Sequence, residues 1–121
     1  MEYFRKNVNK MFDFNKMWKS FKRNNQPTRG LKDLNYSEIN LNEYILIDVR
    51  SQREFQEEHL ANAINIPLLD IKKKIKMHVK DKNKKLLIYC QSGIRSAKAV
   101  QILESLGYLQ VYNLKGGLEN I

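Results

Sequence analysis

Cys90 is the single cysteine of the chain, and it stands where several aids to a sulfur anion converge. The apolar run Leu86-Leu87-Ile88-Tyr89 leads into it and reads as a buried strand. The loop Cys90-Gln91-Ser92-Gly93-Ile94-Arg95 follows, and a helical pattern starts at Ser96. Backbone N–H groups in such a loop turn inward and make a nest for an anion. The helix adds the positive end of its dipole, and Arg95 adds a full charge five positions after the cysteine. Surroundings of this kind lower a thiol pKa from about 8.5 into the range of roughly 3.5–7.5. The same donors would stabilise a persulfide or an oxyanion. The expected chemistry is therefore nucleophilic attack by a Cys90 thiolate. Gln91, Ser92, Gly93, Ile94, Arg95 and Ser96 are the candidate binding residues around it. The opposing reading is a buried cysteine that only packs, and the short local motif does not decide between the two.

The elements needed to position this loop are legible in the hydrophobic pattern. Tyr44-Ile45-Leu46-Ile47-Asp48-Val49 reads as a second strand buried on both faces, as in a parallel sheet. It places Asp48 and Arg50 at the sheet edge that carries Cys90. They are candidates for pocket support, although an ion pair tying loops together is the simpler reading. Short strands are expected at 63–67 and 111–114, with a helical turn near Tyr36–Asn40 capped by Ser37. Helices are expected at 53–59, 69–79 and 96–106, the last closed by Gly107. Alternating strands and helices predict an α/β fold, a central parallel sheet with helices on both faces. Glu54 and His59 read as scaffold; Pro67 and the pair Gly116-Gly117 read as turn formers.

The length of 121 residues fits one domain of ordinary size. One cysteine rules out an internal disulfide and a zinc site built from several cysteines. His59 and His78 are far apart, so no metal site is expected, and the chemistry calls for no organic cofactor. No leader-like apolar run and no stretch near the roughly 18 apolar residues of a span is present, so a cytoplasmic location is expected. Of the net charge of +9, residues 1–30 carry +6. Phe4, Val8, Met11, Phe14, Trp18 and Phe21 recur at helical spacing among lysines, and a break at Asn24–Gly30 follows. This divides the chain into a basic amphipathic helix with its linker, 1–30, and a domain, 31–121. The helix stripe would pack on the domain or on a second copy; the competing reading is a helix lying on a membrane surface. No recognition helix, zinc finger or aromatic RNA-binding motif accompanies the charge, so nucleic acid is not an expected partner.

Taken together and in order, three stretches resemble the rhodanese-like domain family. Asp48-Val49-Arg50, Glu54-Phe55 and His59 through Pro67 resemble its first signature. Tyr89 through Ser96 resemble its active-site loop, and Leu114-Lys115-Gly116-Gly117 resemble its last strand and glycine pair. The resemblance covers roughly residues 36–121. It implies a sulfurtransferase that moves a sulfane sulfur from thiosulfate or a persulfide to a thiol or cyanide through a Cys90 persulfide. It also implies a protein partner such as a cysteine desulfurase or a thioredoxin-like protein. The chain departs from the family pattern at Glu58 and Asn62, where glycine is common. It departs again at Gln91, often arginine in members that use thiosulfate, and at the short stretch after Gly117. Gln91 keeps a rival reading open, a persulfide carrier or binding module serving one partner. A dual-specificity phosphatase of the related kind has one more loop residue, and its arginine lies six positions after the cysteine. The shorter loop here argues against it.

Overall fold

The computed structural model describes residues 3–4 and 32–121. In chain order the strands are β1 (Tyr3–Phe4), β2 (Asp33–Leu34), β3 (Ile45–Asp48), β4 (His59–Leu60), β5 (Ile64–Asn65), β6 (Lys85–Tyr89) and β7 (Gln110–Leu114). The helices are α1 (Gln52–Glu57), α2 (Ile71–His78) and α3 (Ile94–Ser105). Five strands form one sheet in the order β2-β7-β6-β3-β5, and every pairing in it is parallel. This is the expected α/β architecture.

Alternation along the central strands sorts the core into two layers. Ile47 of β3 with Val49 just after it, and Leu86 and Ile88 of β6, face a cluster completed by Ile71 and Ile75 of α2 and by Ala99, Val100 and Leu103 of α3. Leu46, Leu87 and Tyr89 face the opposite layer, built with Leu41, Leu60, Leu114 and Leu118. That second layer is closed by short 3₁₀ turns, Leu41–Glu43 and Gly117–Asn120, and by β4. Ile45–Ile47 of β3 and Leu86–Tyr89 of β6 thus form unbroken runs without charge because both faces of these strands are covered.

Some local details differ from the sequence expectation. β2 joins the sheet at its edge beside β7; two residues are too few to show any periodicity. The turn at Tyr36–Glu38 starts from Asn35, not Ser37, and the Asn35 side chain donates to Glu38 at 2.8 Å. The segment after Pro67 enters α2 through a 3₁₀ turn, Leu68–Asp70. α3 begins two residues earlier than expected, which puts Ile94 and Arg95 in its first turn. Tyr3 and Phe4 belong to a strand rather than to the expected helix, because their backbone groups pair with Leu60 and His59. The rest of that helix and its linker lie outside the described residues.

Candidate active site

β3 and β6 run side by side with Asp48 opposite Tyr89, so Asp48, Arg50 and Cys90 share the carboxyl edge of the sheet. Ligands of open parallel sheets bind at that edge. Cys90 is fully buried at the end of its strand. Its Sγ receives the Gly93 N–H at 3.0 Å and the Ser96 N–H at 3.4 Å, and the Ser96 hydroxyl lies 3.4 Å away. The loop therefore curls around the sulfur, with the N-terminus of α3 aimed at it. The curl depends on Gly93, which adopts φ +98° in the left-handed region that side chains resist.

The loop is fixed from behind by the turn after β7. Leu118 N–H donates to the Cys90 carbonyl and Glu119 N–H to the Gln91 carbonyl, each at 3.0 Å. This approach requires Gly117, whose φ is +61° and where a Cβ would sit 2.7 Å from the Gln91 carbonyl oxygen. The glycine pair does more than set a turn: it lets one backbone lie directly against another. Asn62, where the family commonly has glycine, adopts φ +69°, a conformation asparagine tolerates better than most residues.

Asp48 and Arg50 form the buried pair that the simpler sequence reading expected, with side chains 0% and 2% exposed. Arg50 Nη2 lies 2.8 Å from Asp48 Oδ2 and also donates to the Glu58 carbonyl at 2.5 Å. Arg50 Nε reaches both Asp48 oxygens, at 3.1 and 3.2 Å. Burial by itself would lower the Arg50 pKa, but the hydrogen bonds and charge of Asp48 outweigh it, and the net direction is upward. Asn65 Nδ2 donates to the carbonyls of both Asp48 and Arg50 at 3.0 Å, pinning the corner to β5. Arg50 Nη1 donates to Gln91 Oε1 at 3.3 Å, which joins this pair to the loop. On the far side of Gln91, Nε2 donates to the Glu119 carboxylate.

Arg95 is placed differently from the free anion-binding charge that its position suggested. It meets Glu54 in a bidentate ion pair, Nη1–Oε1 2.7 Å and Nη2–Oε2 3.0 Å. Glu54 also completes a capping box with Ser51 at the start of α1. The sequence reading treated Glu54 as scaffold without this role, although Ser51-x-x-Glu54 was a legible signal for the cap. The partnership with Arg95, 41 residues away, had no local signal. The Arg95 hydrogen bonds hold the Glu54 carboxyl down to about 2, and Glu54 in turn raises Arg95. His59 is scaffold here: its ring stacks on Phe55 with centroids 3.8 Å apart, and Nδ1 lies 2.7 Å from the Phe55 carbonyl. Burial, then the charge of Asp48, pushes the Tyr89 phenol up, and its oxygen accepts the Leu60 N–H at 3.1 Å.

The Glu54–Arg95 pair makes a pH prediction. A carboxylate held low contributes stability in full above its ordinary value of 4.5 and loses it as pH falls through about 2. Both side chains are more than a third exposed, so after solvent screening the pair contributes about 1 kcal/mol. Glu54→Gln keeps the capping geometry and removes the charge. Urea unfolding at a series of pH values should show the variant weaker by about 1 kcal/mol at neutral pH. The two proteins should converge as pH approaches 2.

The fold thus defines an α/β domain with a buried cysteine at the carboxyl edge of a parallel sheet, where the Gly93 and Ser96 N–H groups meet its sulfur. Residues 32–121 match the Rhodanese-like domain. The thiosulfate sulfurtransferase PspE of Escherichia coli is 45% identical over 75 residues, covering 62% of this chain and 71% of PspE. GlpE of Coxiella burnetii, also a thiosulfate sulfurtransferase, is 37% identical over 75 residues, covering 62% of this chain and 68% of GlpE. Among solved structures, the human single-domain sulfurtransferase TSTD1 aligns with a TM-score of 0.68 at 25% identity, over 75% of this chain and 95% of that one. A rhodanese of E. coli solved with anions aligns with a TM-score of 0.60 at 42% identity, over 64% of this chain and 91% of that one. The chain belongs to the rhodanese-like domain family. It is a sulfurtransferase of that type.

Proposed function

We propose that Cys90 is the nucleophile and carries the sulfur as a persulfide between donor and acceptor. The observation that supports this most directly is the convergence of the Gly93 and Ser96 donors on Sγ. In the first half-reaction the Cys90 thiolate attacks the outer sulfur of thiosulfate or of a persulfide. A Sγ–S bond forms, the donor's S–S bond breaks, and sulfite or a thiolate leaves with the electron pair. In the second, a thiol or cyanide attacks the outer sulfur of the Cys90 persulfide and regenerates the thiolate. This is covalent catalysis in two displacements. The loop amides and the α3 dipole stabilise negative charge on sulfur before and after each one.

Gln91, Ser92, Gly93, Ile94, Arg95 and Ser96 form the cradle in this reading, with Gln91 and Arg95 acting mainly through what anchors them. Asp48 and Arg50 support the loop from below rather than touch substrate. The six-residue loop from Cys90 to Arg95 suits a single sulfur better than a phosphate group. One observation favours a second reading, a persulfide carrier serving one protein such as a cysteine desulfurase or a thioredoxin-like acceptor. The neutral side chain at position 91 is committed to Arg50 and Glu119, which leaves one fewer positive group for a small anion.

The test is mass spectrometry of the Cys90 peptide after incubation with thiosulfate or a low-molecular-weight persulfide. One added sulfur atom that leaves on treatment with cyanide is the expected result. An unmodified peptide with both donors would overturn the proposal. Loading without multiple turnover would select the carrier reading.

A further inference from the structure

We propose that Glu119 sets donor preference by placing an unanswered negative charge at the second position of the loop, favouring persulfides over thiosulfate. The inference rests on the sulfur-transfer reading of Cys90 and deepens it.

Both arginines that touch this loop region are already paired, Arg50 with Asp48 and Arg95 with Glu54. Glu119 is different. Its carboxylate accepts from the neutral Gln91 amide, and among the described residues it makes no ion pair. Its backbone is fixed too, since its N–H donates to the Gln91 carbonyl at 3.0 Å. Gln91 in turn is held at its other end by Arg50. The carboxylate is therefore tied by backbone and side chain to the residue next to Cys90. Among the described charged groups anchored to the loop, it alone makes no ion pair.

Thiosulfate is a dianion, whereas an alkyl persulfide carries at most one negative charge. A carboxylate tied to Gln91, the residue next to Cys90, repels the first more than the second by one unit of charge. The favoured step balances without any further reactant. Cys90 thiolate attacks R–S–SH at its outer sulfur, the Sγ–S bond forms, and the donor S–S bond breaks. RS⁻ departs with the electron pair, and the proton stays on the transferred sulfur.

Single-turnover loading of Cys90 from thiosulfate and from cysteine persulfide tests the idea. Glu119→Gln preserves an acceptor for the Gln91 amide and removes the charge. It should raise the thiosulfate-to-persulfide ratio of second-order loading rate constants by about fivefold, the scale of one screened charge. Glu119→Lys should raise it further, and both gains should shrink at high ionic strength. A purely structural role for Glu119 would lower both rates together and show no such salt dependence. Ratios unchanged in both variants, with native circular dichroism, would overturn the proposal. If the unsubstituted chain loads from neither donor, the sulfur-transfer reading fails and this one falls with it.

Discussion

Cys90→Ser should lower sulfur transfer by at least about a thousandfold, to the uncatalysed background, while leaving the fold intact. The size of the effect comes from chemistry rather than packing. A thiol has an ordinary pKa of about 8.5, within reach of a site that favours anions. A serine hydroxyl is not ionised under the same conditions and has no comparable affinity for sulfane sulfur. The hydroxyl can still accept the Gly93 and Ser96 N–H groups that the sulfur accepts now, so the loop keeps its partners. Cys90→Ala serves as a complement, because it leaves those buried donors without an acceptor and adds a stability cost of about 1–3 kcal/mol. Thiosulfate-to-cyanide transfer, run beside thermal unfolding, separates the two effects. Appreciable turnover by the serine variant would mean that another group attacks the donor.

The parts of this site that sequence reveals are those with a local physical signature. β3 and β6 announce themselves because a strand covered on both faces must be apolar without interruption. The loop announces itself through Gly93 and the helical pattern after it. The Asp48–Arg50 pair was legible as a charged step at the end of a buried run. What stayed hidden depends on residues brought together only by the tertiary fold. Arg95 reads as a free charge until α1 brings Glu54 to it. Gln91 reads as a lost charge until the turn after β7 brings Glu119 to its side chain, 28 residues on in sequence. Glu119 has no motif of its own, since one carboxylate in a short polar stretch carries no periodic or spacing signal. The 3₁₀ turns of the second layer were missed because segments of three or four residues show no period.

Gln91 shows how the pieces depend on one another. Its amide oxygen takes a hydrogen bond from Arg50, at the end of β3, and its amide nitrogen gives one to Glu119, beyond β7. The loop backbone is held by the same C-terminal turn through Leu118 and Glu119. Two distant stretches of chain, neither of them catalytic by type, thus determine where the loop amides point. This is the arrangement expected when a cradle must be rigid before its anion arrives.

The largest loss of stability should follow from breaking the Asp48–Arg50 pair on one side. Asp48→Ala leaves a guanidinium that is 2% exposed without its counter-charge. Removing one partner of a buried pair typically costs about 3–5 kcal/mol, because the remaining charge has lost its solvation and gained nothing in return. The cost should fall at the upper end here, since Arg50 also receives no help from solvent and holds the Glu58 carbonyl and Gln91 in place. Urea unfolding measures the loss, and sulfur transfer should decline with it as the loop loses its anchor. A double variant, Asp48→Leu with Arg50→Met, supplies the decisive comparison. With no charge left buried, it should recover much of the stability lost in Asp48→Ala. It should not recover the activity, because Gln91 then has no Arg50 to hold it. Recovery of both would mean that the pair serves only the core, and recovery of neither would mean that the corner at Asn65 and Glu58 depends on the charges themselves.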